Sequence, residues 1–170
     1  MDLKDIWPQK DAPLIEKAQQ FVEKYKGEKI VLKYGGQVMA NDQLTKAFAQ
    51  DAAICNLIGI KNLVIHGGGP QIKKKLEAQN IPSKFILGLR VTDENVIKIV
   101  EDVLLNEINP DLVNTINSFK ANAEAVTARN TNSILKVKEA KNPELGFVAD
   151  PEEIDIDKLN HILNDNKVPV

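Results

Sequence analysis

At 170 residues and 18.9 kDa the chain has the length of one domain, enough to bury a core. Its 43% hydrophobic and 27% charged residues exclude disordered and fibrous classes. The 22 basic and 24 acidic residues leave a net charge of -2, so nucleic acid is not an expected partner.

The first 27 residues read as an extension carrying an amphipathic helix over 11–26. Leu14, Ile15, Ala18, Phe21, Val22 and Tyr25 share one face, Asp11 is the predicted N-cap and Gly27 the stop. Residues 28–170 follow as one lobe with no visible internal boundary. The β-branched run KIVLKYGG reads as a strand broken by Gly35 and Gly36, and a helix is predicted from Gln43 to Ile58. Cys55 lies in that helix within AAICNLIGI, where a small buried hydrophobe fits better than a nucleophile, and a lone cysteine suits a reducing cytoplasm. The scheme then repeats: NLVIH (62–66) as a buried strand, Gly67 to Gly69 as a turn, and Pro70 to Gln79 as a helix with Pro first. Two successive strand-loop-helix units predict an α/β fold, a three-layer αβα sandwich around a mainly parallel open sheet.

Residues 81–91 read as a hairpin off the main sheet, with Gly88 marking mobility or a close approach. Thr92 and Asp93 cap a predicted helix through Val96 to Leu104, and Asn109-Pro110 restarts another through Ile116. The stretch 123–149 is polar, with apolar pieces at Ile134–Val137 and Gly146–Val148 that read as antiparallel strands. A short helix is expected over 158–164, and Val168 to Val170 reads as the start of a strand. No segment has the ~18 apolar residues of a membrane span, and MDLKDIWPQK lacks a signal-peptide core, so neither export nor a membrane partner is expected.

Chemistry concentrates at the ends of the two strands. In His66-Gly67-Gly68-Gly69-Pro70, three glycines let backbone approach a ligand, and the free N–H groups of the following helix form an anion site. The pattern is neither G-x-G-x-x-G nor the phosphate loop ending Gly-Lys-Ser/Thr. His66 itself reads as structural, having no acid or metal partner in sequence, and no residue is read as a metal ligand. Lys33-Tyr34-Gly35-Gly36 ends the preceding strand at the same carboxyl edge, where open α/β sheets bind ligands. The spacing predicts that Lys33 brings an ammonium into the crevice, suited to charge on a phosphoryl group in transfer. Arg90 is one of two arginines, with Arg129, against twenty lysines. Its place in GLRVTD suggests a bidentate contact to a carboxylate, the alternative being an ion pair with Asp93.

Lys33–Gly36, the run Val64–Ile72 and Gly88–Asp93 occur in the order and spacing found in acetylglutamate kinases of the amino-acid kinase superfamily, which the chain resembles from about Leu14 onward. The resemblance implies transfer of the γ-phosphoryl of MgATP to the γ-carboxylate of N-acetyl-L-glutamate in arginine biosynthesis. It assigns Lys33 to transition-state stabilisation and Gly36 to the transferred phosphoryl as a backbone donor. It further implies that Gly68 and Gly69 hold the substrate and that Arg90 grips its α-carboxylate. It also implies a homo-oligomer, a dimer or a hexamer linked through the early helix.

The family's N-x-N-A-D segment and nucleotide-binding half are absent from these residues. The usual Gly-rich stretch is replaced by Lys120-Ala121-Asn122 and Thr127-Ala128-Arg129-Asn130. The chain is therefore expected to be an acetylglutamate-binding lobe, a fragment or truncated form inactive by itself. The rival readings are a noncatalytic binding or assembly module and a sibling kinase acting on another acidic substrate.

Overall fold

A computed structural model describes residues 15–127 and 134–170. The predicted Asp11 cap and Leu14, and Ala128, Arg129 and Asn130, lie outside the described residues. Helix α1 (Ile15–Tyr25) ends at Gly27, whose φ of +85° is the left-handed turn that glycine enters without strain. Phe21 and Tyr25 on this helix are exposed.

Strand β1 (Lys29–Tyr34) pairs in parallel with β2 (Lys61–His66), placing Lys33 beside Ile65 and Tyr34 beside His66. Between them, Gly36 opens a single helical turn, α2 (Gly36–Met39), and α3 (Asp42–Leu57) follows. Asn41 caps α3 by accepting from the N–H groups of Gln43 and Leu44 at 2.9 and 3.1 Å. After β2 comes α4 (Gly69–Ala78), with Pro70 in its first turn.

The period-two alternation of the strands sorts their side chains between two layers. One face sends Tyr34 and Val64 into a core with Ala49, Ala52 and Ala53 of α3, where the Asn62 amide donates to the Ala52 carbonyl at 3.1 Å. Leu112 and Ile116 of α6 (Asn109–Ser118) complete that core. The opposite face carries Lys29 and Lys61, which donate to Asn160 and Asn164 of α7 (Ile156–Asn164) at 2.8 and 2.6 Å. Helices therefore flank the sheet on both sides, as predicted. Strand β8 (Val168–Pro169) lies near β2 and pairs in parallel with β5 (Ala123–Glu124) as a second two-stranded sheet.

Residues 85–90 form the expected hairpin off the main sheet, β3 (Phe85–Ile86) against β4 (Leu89–Arg90). Leu87 and Gly88 both have positive φ, 49° and 83°, the signature of a type I′ turn. Gly88 thus answers to the turn; nothing approaches its Cα closely enough to require glycine.

Asp93 caps α5 (Glu94–Glu101), its Oδ1 accepting from Asn95 and Val96 at 2.9 Å each. The predicted restart at Asn109-Pro110 is corrected. From α5 the chain winds through a π-helical stretch, Asp102–Ile108, directly into α6. Proline lacks the N–H of the helix ladder and crowds the carbonyl four residues back, and the wider π winding just before it relieves that conflict. Ile72 and Leu76 of α4 pack with Val96, Ile99, Val103 and Ile108 in a second core.

The antiparallel ribbon is also shifted from its predicted position. Strand β6 (Leu135–Glu139) pairs with β7 (Ala149–Ile154), and Gly146 lies outside it. Gly146 has φ +69° and sits so near Thr92 that a Cβ would be 2.3 Å from the Thr92 carbonyl oxygen. That approach makes the bridge between Thr92 and Gly146, with the Phe147 N–H donating to Thr92 O at 2.7 Å.

Candidate functional site at the carboxyl edge of the parallel strands

Parallel pairing brings the two glycine turns together because both strands end at the same edge. The Gly67 N–H reaches the Tyr34 carbonyl at 3.4 Å, and a Cβ on Gly36 would lie 3.2 Å from Pro70 Cγ. Lys33, Gly36 and the 66–70 loop therefore border one rim. Gly35, Gly67 and Gly69 have open space where a side chain would stand, so packed side chains do not seal the rim there. Lys33 is exposed on β1, one residue before the turn.

Gly68 has a different physical role from Gly69. It is buried at the N-cap of α4, and a Cβ there would stand 2.6 Å from Leu104 Cδ2 and 3.0 Å from Ile108 Cδ1. The π-helical stretch thus packs directly under the loop. Lys75 of α4 holds this stretch by ion pairs to Asp102 and Glu107. The hydrogen bond from Lys75 lowers the Asp102 carboxyl from its ordinary range, Asn106 adding a second bond, while Asp102 and Glu107 raise Lys75. A lowered carboxylate contributes its pairing above the ordinary Asp range, so this tie is lost on acidification through the folded pKa.

Arg90 sits in its own hairpin. Its guanidinium donates to the Ser83 hydroxyl and lies 4.7 Å from the centre of the Phe85 ring. Asp93 is engaged as a helix cap, and the alternative ion pair to Arg90 is not what occupies either group. Cys55 is half-buried, and its thiol is pushed up by burial and then by Asp51, which keeps it protonated, in keeping with a packing role.

His66 is held on both ring nitrogens. Nδ1 lies 3.0 Å from the Gly67 carbonyl oxygen and Nε2 3.3 Å from Asn109 Nδ2. Sequence reasoning took Asn109 only as a helix start. An asparagine followed by proline carries that meaning locally, and its tertiary partners are 43 and 61 residues away.

A cavity of about 390 Å³ lies behind the strand end, lined by Tyr34, Gln71, Ile108 and Leu112 and carrying Asp42, Glu107 and Asp111. Its three carboxylates repel an anionic ligand. A second cavity, about 490 Å³, lies between the β6–β7 ribbon and the start of α7 and shares no residue with the loops. Among the described residues no helix is long and apolar enough to cross a membrane.

Comparison with known proteins gives the same outline. The chain is 41% identical over 169 residues to an acetylglutamate kinase of Pelagibacter ubique, covering 99% of this chain and 57% of that protein. An acetylglutamate kinase of Thermoanaerobacter pseudethanolicus is 35% identical over 159 residues, with 94% and 53% covered. The chain thus spans little more than half the length of these relatives. In fold it resembles the N-acetylglutamate synthase of Neisseria gonorrhoeae, with a TM-score of 0.74 at 16% identity over 91% of this chain and 35% of that one. It also resembles smu.665 of Streptococcus mutans, with a TM-score of 0.67 at 23% identity over 83% and 56% of the two chains. The amino acid kinase family matches residues 28–170, and with the paired strand-loop-helix units in place the chain belongs to that family.

Proposed function

We propose that residues 28–170 form the acceptor-binding lobe of an acetylglutamate kinase, with 1–27 an extension used in homo-oligomer assembly. N-acetyl-L-glutamate binds at the rim between the Lys33–Gly36 turn and the 66–70 loop. Lys33 stabilises negative charge on the phosphoryl group as it moves to the γ-carboxylate, and the Gly36 amide donates to the same group. The amides of Gly68 and Gly69 hold the acceptor at the start of α4, and Arg90 takes its α-carboxylate. The observation that supports this reading is the register pairing Tyr34 with His66, by which the strand ends after Lys33 and before the 66–70 loop, with their two glycine turns, lie at one edge.

MgATP is the co-substrate in this reading and supplies the phosphoryl group when bound. What this chain offers it is the Lys33 ammonium and the Gly36 amide, both suited to a transferring phosphoryl. Among the described residues no group of three His, Cys, Asp or Glu side chains is placed to hold a metal ion. The exposed Phe21 and Tyr25 on α1 favour a covered helix in an assembly.

The test is a fusion of this chain to the carboxyl-terminal half of the Pelagibacter ubique relative, assayed for acetylglutamyl phosphate. The fusion is expected to form it from N-acetyl-L-glutamate and MgATP, and the 170-residue chain alone is expected to form none. A fusion that folds, binds ATP and phosphorylates a different acidic substrate in a panel would replace the acceptor named here.

A further inference from the structure

We propose that Asn109 is a positioning residue for the 66–70 loop, fixing the tautomer of His66 and tying that imidazole to the Val170 carbonyl. The inference rests on the acceptor-binding role given above to Gly68 and Gly69. Asn109 is buried, with 2% of its surface exposed, at the start of α6, next to Ile108 of the π-helical stretch that packs under the loop. Its side-chain Nδ2 carries two hydrogens. One is given to the Val170 carbonyl at 2.8 Å, and the other is directed at His66 Nε2, 3.3 Å away.

Nε2 accepts that hydrogen only when the ring proton is on Nδ1. Nδ1 in turn lies 3.0 Å from the Gly67 carbonyl oxygen, which can only accept, so a hydrogen bond between them requires the proton on Nδ1. Two independent contacts therefore select the same neutral tautomer, with Nδ1–H donating to Gly67 and Nε2 accepting from Asn109. The imidazole becomes a brace between a buried amide and the backbone of its own loop.

The brace sets the direction of the next N–H. A trans peptide is planar, so the Gly67 carbonyl and the Gly68 N–H point in opposite directions. Holding that carbonyl against the imidazole turns the Gly68 N–H the other way. Three successive glycines have little torsional preference of their own, and an external tie removes disorder that a ligand would otherwise have to remove on binding. Gly68 is also pressed by Leu104 and Ile108, so the loop is held from beneath and from the side.

The chain has two histidines, and the other, His161, is largely exposed near Asp165, so imidazole nitrogen resonances of the 15N-labelled chain can be assigned by a single substitution. In the parent, His66 is expected to show a protonated Nδ1 and a bare Nε2. Asn109→Asp replaces the donors with an acceptor, and Nε2 is expected to gain a proton. His66→Gln keeps an acceptor within reach of Asn109, and its N-acetyl-L-glutamate affinity by calorimetry is expected within about twofold of the parent. His66→Leu has none and is expected to bind about fivefold more weakly, the value of one hydrogen bond.

Amide exchange at Gly68 is expected to be faster in His66→Leu than in His66→Gln. An Nε2–H tautomer in the parent overturns the proposal, as does equal Gly68 exchange in the Leu and Gln variants. If the parent binds no N-acetyl-L-glutamate, the substrate reading fails by itself, while the tautomer and the Gly68 exchange rates still decide the role of Asn109.

Discussion

Lys33→Ala in the two-lobe fusion is expected to lower kcat by about 10²–10³, the usual effect of removing one group aimed at developing charge. KM for N-acetyl-L-glutamate is expected to stay within about twofold, because the ammonium acts on the moving phosphoryl more than on the bound acceptor. The position of Lys33 supports this split. It is exposed on β1 one residue before the turn, beside Ile65 of β2, and the covered face of the sheet belongs to Tyr34 and Val64. Its loss therefore leaves the core intact, and unfolding is not a competing explanation for lost turnover. A variant with parent kcat would remove Lys33 from the chemistry. One with unchanged kcat and a much higher KM would make it a substrate anchor instead.

Arg90→Ala is expected to weaken N-acetyl-L-glutamate binding to the 170-residue chain by about 2 kcal/mol, roughly thirtyfold, as for a lost charge-assisted pair. Arg90→Lys is expected to recover little of this, since an ammonium cannot present the planar fork of a guanidinium. The Phe85 ring and Ser83 hydroxyl hold the guanidinium within a type I′ hairpin, limiting the freedom it must lose on binding. The discriminating ligand is the α-amide of N-acetylglutamate, which lacks the charge Arg90 is assigned to grip. Its affinity is expected to be nearly insensitive to Arg90→Ala. Equal losses for acid and amide would make Arg90 a brace of its own hairpin.

The strand-loop-helix pairs were legible because their signals are local: β-branched runs, glycine pairs or triplets, and Pro at the start of α4. That both glycine turns share one edge follows from parallel pairing, which two such units in succession already demand. Other features depend on partners far along the chain. The π-helical stretch has the same apolar spacing as an α-helix, so Asn109-Pro110 reads as a fresh start although the chain passes through it unbroken. Strand β7, ADPEEI, has weak β-propensity and contains Pro151, which pairs opposite Val137 beside a register shift. Its apolar neighbour Gly146–Val148 attracted the strand assignment, whereas Gly146 is reserved for the close approach to Thr92. The short turn α2 begins with a glycine, the poorest ordinary helix former, and the close approach of Pro70, 3.2 Å from where a Cβ would stand, comes from an element 34 residues further on.

The account stands on an acidic metabolite binding between the two glycine turns. Titrating the 15N-labelled 170-residue chain with N-acetyl-L-glutamate measures this directly through the backbone amides. The Gly36, Gly68 and Gly69 resonances are expected to shift together and saturate at one affinity. Shifts confined to the β6–β7 ribbon and α7, with those three glycines unmoved at saturation, would contradict it.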